Sequence, residues 1–276
     1  MSLLSSSLPF NQTHPLKQHL YVDTKGSGDA RPTALRIVRD NDLGNKWASR
    51  VVLVTGATSG IGIETARALH ATGADVYFTA RDTKEGQETK DYIVYNSVGK
   101  AIMGCPEGRQ KDGFETQFGV NYLAHYVLSA SVFPALMASS TPEFNSRVVA
   151  WMANYIDRVY GPKGIHALAL NPGGMWIRLQ KYAPPELMNT WKADQSIMKG
   201  MQDLEEDAAT TVWAAAAPVW EGKWGKFLYC CGVAELDTGD LSTASSDYYG
   251  PDAYNEESEN RLWALTEQLP DMKMEA

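Results

Sequence analysis

Cysteine is scarce in this 276-residue chain, which holds only Cys105, Cys230 and Cys231. Three thiols cannot build the multi-bridge framework of a small secreted domain. Cys230 and Cys231 are adjacent in the apolar run F-L-Y-C-C and are expected to be buried thiols. Histidine is sparse too. His14, His19, His70, His125 and His166 are scattered without metal-ligand spacing. Positive charge is in deficit, with 25 Lys and Arg against 33 Asp and Glu, a net charge of −8 and a pI near 5.2. That balance argues against nucleic acid or an anionic membrane as partner. No apolar run reaches the ~18 residues of a spanning helix. The opening residues, M-S-L-L-S-S-S-L-P-F, lack the basic and apolar blocks of a secretory signal. The expectation is a cytoplasmic protein with no membrane span. With 44% hydrophobic residues, the chain can bury a large core.

Residues 1–45 are rich in Ser, Pro and Gly with weak periodicity, and read as an irregular N-terminal arm. Residues 46–270 alternate strand and helix patterns. Val51–Val54 reads as a buried parallel strand, and Ile63–Thr72 as a helix. Further strands are expected at Asp75–Ala80, Arg147–Ala150, Ile165–Leu170 and Lys226–Cys231. Helices are expected at Gly113–Ala138, Ala153–Tyr160, Glu205–Ala217 and Asn255–Leu269, with Pro134 kinking the first or marking its last turn. This alternation predicts an α/β fold with a single doubly wound parallel sheet.

Between the first strand and first helix lies T-G-A-T-S-G-I-G, residues 55–62. A strand, a glycine turn and a helix N-terminus together hold a dinucleotide pyrophosphate. The turn brings backbone N–H groups to the phosphates, and the helix adds partial positive charge. Gly56 permits the tight turn, Gly60 the close approach and Gly62 the packing of helix on strand. Ser59 can donate to a phosphate, and Ile61 lies in the same turn. Arg81, at the second strand's end, suits a 2′-phosphate and so favours NADP. Asp82 beside it would instead accept the ribose hydroxyls of NAD.

The spacing T-G-x-x-x-G-x-G resembles the short-chain dehydrogenase/reductase family, in the branch of the retinol dehydrogenases, the WW-domain oxidoreductase and their fungal relatives. The segments C-P-E-G-R at 105–109, D-G-F-E-T-Q-F-G-V-N-Y-L-A-H-Y at 112–126, I-H-A-L-A-L-N-P-G-G at 165–174 and A-A-T-T-V-W-A-A at 208–215 extend the resemblance in order over residues 35–270. It implies a nicotinamide cofactor and a small carbonyl or alcohol substrate. It also implies a catalytic Tyr-x-x-x-Lys pair, in which the lysine lowers the tyrosine pKa, and a serine on the preceding strand.

Those catalytic residues are not where the resemblance puts them. The sequence has one tyrosine four residues before a lysine, Tyr21 and Lys25, and it lies ahead of the first strand. Tyr160 and Lys163 are three apart around Gly161-Pro162. The strand start S-R-V-V runs almost directly into A-N-Y-I-D-R-V-Y-G, the helix end, so the intervening catalytic stretch is absent. The family's N-N-A-G element is absent too, and Ile177 stands where a cofactor-contacting threonine is usual. Asn121 matches the family's helix asparagine, a remnant of the catalytic tetrad. The expected sheet therefore lacks about one edge strand and part of the catalytic helix, with residues 92–104 supplying the central strand. Two function classes stay open. One is an NADP-linked oxidoreductase deficient in hydride transfer as this chain stands. The other is a catalytically dead or non-redox member that binds a nucleotide or a partner. Trp176, Tyr182 and Trp191 either line a pocket or belong to the core.

Overall fold

Val51–Val54 is a run of β-branched and apolar residues that forms β1, and Asp75–Phe78 forms β2 parallel to it in the computed structural model, with Val51 opposite Asp75. The structure describes residues 21, 23–79, 84, 108–111, 113–149, 152–176, 180, 183–237 and 248–269. Helix α1 spans Ala34–Asp40, inside the stretch expected to be irregular, and is capped by the Thr33 side chain. α2 spans Ile61–His70. A helical run, α3, covers Thr116–Ser139. Its first and last parts are α-helical, and Gly119–Leu123 between them is a π-helical turn. Pro134 sits inside this run without ending it.

Ser146–Val149 (β3), Ile165–Asn171 (β4) and Phe227–Tyr229 (β5) follow as a parallel ladder, and Gly232–Val233 (β6) pairs antiparallel with β5. The expected strand at Lys226–Cys231 is cut short because Cys230 and Cys231 both adopt positive φ, 48° and 52°, and make the two-residue turn of a β5–β6 hairpin. Both thiols are buried, as expected. Ala153–Tyr160 (α4) joins β3 to β4. Pro185–Ala193 (α5), Gln195–Gly200 (α6), Leu204–Ala216 (α7) and Glu256–Glu267 (α8) complete the larger helices. Glu235–Leu236 and Tyr248–Tyr249 form a small separate parallel pair.

Two cores hold these elements. The larger joins α1, α2, β1, β2 and α7 through Ile37, Val38, Trp47, Leu69, Phe78, Val212, Trp213 and Trp220. The alanines of α7, at 208, 209, 214 and 216, are buried and let that helix lie close to its neighbours. The smaller core gathers Tyr126, Phe133, Ile156, Tyr160, Ile165 and Trp263 between α3, α4, β4 and α8.

The parallel α/β architecture matches the expectation, but its sheet is not continuous among the described residues. The ladder β2–β1 and the ladder β3–β4–β5–β6 do not pair with each other. The break lies at the centre, between β1 and β3, and no described strand flanks β2 on its outer side either. Bonds from Asp75 N–H to Arg50 O and from Thr79 N–H to Val54 O set the β1 register, so the main-chain groups of Val51 and Leu53 face away from β2. Ser146 N–H donates to Gly164 O, which turns the main chain of Arg147 the other way, towards β1. A cavity of about 460 Å³ separates the two edges, lined by β1, β3, the inner face of α3 at Leu128, Val132 and Leu136, and Thr211 of α7. Val51 is 69% exposed, far from its expected burial, because nothing described covers it. The expected central strand at 92–104 lies outside the described residues.

Candidate cofactor site

The ends of β1 and β3 fix which edge of the fold can hold a ligand. The Arg50 guanidinium lies 3.5 Å from the Phe144 ring centroid, and Trp47 packs edge-on against the same ring at 5.6 Å. Arg50 precedes β1 and Phe144 precedes β3, so both strands start at one edge and end at the other. The turn after β1 and the turn after β4 therefore share the carboxyl edge, where α/β folds take ligands.

The first of these turns is built as the sequence predicts. Gly56 and Gly60 have φ of 69° and 62°, a region side chains disfavour. Gly62 has no room for a side chain. A Cβ there would lie 2.4 Å from the Gly56 carbonyl oxygen and 2.9 Å from Ala57 Cα. Gly60 is the N-cap of α2 and supplies no side-chain acceptor to the helix start. Ser59 is exposed, while Ile61 is half-buried at the first helical position. Glu64, in the first turn, pairs with Arg67 at 2.5 Å, and Arg67 also reaches Glu205 at 2.7 Å. That pairing offsets a carboxylate that would otherwise oppose an anion at this helix end. The turn fits a pyrophosphate. Arg81 and Asp82 lie outside the described residues, as do Ile177 and Tyr182.

The second turn, Pro172-Gly173-Gly174, follows β4. Gly173 N–H donates to Asn171 Oδ1 at 3.1 Å, and Gln202 N–H donates to Gly174 O at 2.8 Å. Beneath it lies a charged cluster that pattern reading missed. Arg31, 3% exposed, donates to the carbonyls of Gly26, Gly200 and Met201 and pairs with Asp29 and Glu206. Asp203 and Glu206 form a reciprocal capping box at the start of α7. The spacing Asp203-x-x-Glu206 was the available signal, since a short acceptor three residues before Glu marks a capping box. Trp176 and Trp191 lie 6.5 Å apart beyond this turn, with Lys192 over Trp176.

Asn121 sits in the π-helical turn of α3. One turn on, His125 lines the cavity beside β1, and burial lowers its pKa. Neither Tyr21 nor Tyr160 makes a catalytic pair with its neighbouring lysine. The Tyr21 hydroxyl points at Cys231 Sγ, 3.8 Å away, and burial drives its pKa upward, the reverse of what a proton relay needs. Lys25 is exposed and faces Asp23 at 3.8 Å. Tyr160 packs against Phe133 in the smaller core, with Lys163 over its ring.

The short chain dehydrogenase family profile matches residues 50–107, which include the glycine turn. The short-chain dehydrogenase/reductase prx1 of Penicillium roqueforti is 33% identical over 319 aligned positions, covering 89% of this chain and 92% of that protein. The chain belongs to the short-chain dehydrogenase/reductase family. It is shorter within the match than its relative. Because 89% of 276 residues fill 319 positions, more than a fifth of the positions have a residue in prx1 and none here. Solved structures agree on the fold. A 7 alpha-hydroxysteroid dehydrogenase complexed with NADH superposes with a TM-score of 0.54 at 16% identity, over 71% of this chain and 99% of that one. The Pseudomonas aeruginosa RhlG/NADP complex gives 0.52 at 17% identity, over 67% and 96%.

Length and composition alone would let the Thr116–Ser139 run cross a membrane, with mean hydropathy 1.2 and 17% of its most apolar window buried. This differs from the expectation that no segment qualifies. The polar residues Asn121, His125, Ser129 and Ser131 interrupt the run often enough to hide it from a search for unbroken apolar stretches.

Proposed function

We propose that this chain is a cytoplasmic oxidoreductase-family protein that binds NADP in preference to NAD through the Thr55–Gly62 turn, and that it is deficient in hydride transfer. Bound NADP would supply the hydride donor or acceptor. Gly56, Gly60, Gly62 and the amides at the start of α2 would hold its pyrophosphate, with Ser59 donating. Arg81 would meet the 2′-phosphate. The substrate class is a small carbonyl or alcohol, in keeping with the oxidoreductases this chain resembles. The observation that carries the deficiency is the placement of Tyr21 and Lys25. The chain's single Tyr-x-x-x-Lys pair spends its hydroxyl on a cysteine and leaves its lysine beside an exposed aspartate. A proton relay of the family's kind needs a tyrosine of lowered pKa, and burial moves that of Tyr21 the other way.

Calorimetric titration with NADP and NAD tests the binding half. NADP is expected to bind with weak, micromolar-range affinity, and Arg81→Ala to weaken NADP about tenfold while leaving NAD unchanged, since one guanidinium–phosphate contact is lost. Turnover of alcohols or ketones with NADP at about 1 s⁻¹ or faster, an ordinary enzymatic rate, would overturn the deficiency half.

A further inference from the structure

Asp207 is fully buried in the first turn of α7, and its place there is hard to explain by stability. Its Oδ2 has no hydrogen-bond partner among the described residues. Its Oδ1 accepts from Gln202 Nε2, and the same amide nitrogen donates to Pro172 O at 3.2 Å. Together with the bond from Gln202 N–H to Gly174 O, one residue thus grips the Pro172-Gly173-Gly174 turn at both ends. The middle of the turn rests on the same pair. A Cβ at Gly173, whose φ is 137°, would lie 1.9 Å from Gln202 Nε2 and 2.5 Å from Asp207 Oδ1. The turn can take this shape only because residue 173 is glycine.

We propose that Gln202 and Asp207 are positioning residues for the bound cofactor, and that the Pro172-Gly173-Gly174 turn is held in its binding shape by the charged form of Asp207. This rests on the cofactor reading above, because the turn stands at the carboxyl edge that the glycine turn shares. A carboxylate accepting from an amide makes a stronger bond than a neutral acid does, and it fixes which way the Gln202 amide points. Protonation removes the charge-assisted acceptor and frees the amide from Pro172. The charged groups facing Asp207 are Arg31 from the N-terminal segment and Asp203 and Glu206 from its own helix. Arg31 favours the carboxylate, whereas the two acids and burial oppose it. Burial dominates and pushes Asp207 up to about 7, so the turn would loosen as pH falls through neutrality.

The test uses the full chain, Asp207→Asn and Gln202→Leu, with two readouts. The first is amide hydrogen exchange of residues 172–176 without nucleotide, expressed as protection factors at pH 6 and pH 8. The second is NADP affinity by calorimetry at the same pH values. In the unaltered protein, protection is expected to rise about tenfold from pH 6 to pH 8. In both variants it should be low and flat. NADP affinity at pH 8 should fall about tenfold in both variants while Asp207→Asn is as thermally stable as the parent or more so. Comparing parent with variant at each pH cancels the titration of the nucleotide's own phosphate. Equal protection in all three proteins would overturn the positioning role, whether or not NADP binds. Altered protection with unaltered affinity would overturn the link to the nucleotide. Lower affinity in Asp207→Asn accompanied by lower thermal stability would assign the residue to the fold alone. If the parent protein binds neither NADP nor NAD, the cofactor reading fails, while the exchange data still decide whether Asp207 holds the turn.

Discussion

Gly62→Ala is a substitution whose sign depends on the packing of the nucleotide turn. Position 62 lies in the first turn of α2, so with open space around it alanine would stabilise the helix by about 0.5–1 kcal/mol. The space is not open. The new methyl would stand 2.4 Å from the Gly56 carbonyl oxygen, 2.8 Å from its carbon and 2.9 Å from Ala57 Cα. All three atoms are backbone and cannot swing aside as a side chain would. Overpacking of this kind costs about 1–3 kcal/mol, and rigid neighbours place it in the upper part of that range. The net expectation is a loss of about 1–2 kcal/mol, or a fall in melting temperature of roughly 2–8 °C for a chain of this size. Urea denaturation followed by circular dichroism reads it directly, with the slope unchanged and the midpoint lowered. Gly44→Ala is the control, since nothing lies within 4 Å of an added Cβ there. NADP binding should weaken in Gly62→Ala, because the displaced Gly56 carbonyl belongs to the phosphate turn. A Gly62→Ala protein more stable than its parent would refute the close packing of α2 on this turn, and with it the geometric case for a pyrophosphate site.

Other outcomes follow from the charged groups around α7. Asp203→Ala removes one half of the capping box and is expected to lower stability by about 1 kcal/mol, read in the same urea titration. Arg147→Leu should cost more, about 2–4 kcal/mol. It strips the carbonyls of Ala215 and Ala217 of their donor and leaves Glu221, itself one-third exposed, without its partner. The buried Asp207 gives a pH dependence of definite sign. Its folded pKa is raised, so between about pH 4 and pH 7 the native state keeps a proton that the unfolded chain releases. This group's contribution therefore makes stability fall as pH rises through that window and level off above it, by about 4 kcal/mol at most. Asp207→Asn should flatten that part of the pH–stability curve. A slope unchanged by the substitution would show that Asp207 titrates normally.

Local patterns in the sequence reported local structure well and tertiary contacts poorly. β1, the glycine turn and α2 were legible because strand, turn and helix each carry their own signal within a few residues. The α4 helix and the β3 and β4 strands were legible for the same reason. The ends were less so. Cys230 and Cys231 read as strand because their side chains are apolar, yet two left-handed residues turn the chain there, a conformation held by tertiary contacts such as the bond from Cys231 N–H to Thr210 Oγ1. α1 was missed because its helical run is only seven residues, and its stability comes from packing Ile37 and Val38 against α7 rather than from periodicity. The contacts of Arg31 with Glu206 and the Gly200 and Met201 carbonyls were invisible because those partners lie some 170 residues away in sequence.

The contrast between Asp207 and Tyr21 bears on what this chain has kept. Tyr21 is half-buried and Asp207 fully buried, and desolvation opposes ionisation of both. Tyr21 gains only a long contact to a thiol, at 3.8 Å, and neighbours that raise its pKa further. A tyrosine so placed stays neutral, whatever lysine follows it in sequence. Asp207 is treated differently by its surroundings: an amide donates to it, an arginine lies near enough to favour its charge, and a glycine turn is moulded against it. Perturbed carboxyls cluster at functional sites, and Asp207 stands beneath a turn at the carboxyl edge of the sheet. On the proposed reading, the Pro172-Gly173-Gly174 turn takes its shape from a buried charge, whereas Tyr21 is placed to pack rather than to pass a proton.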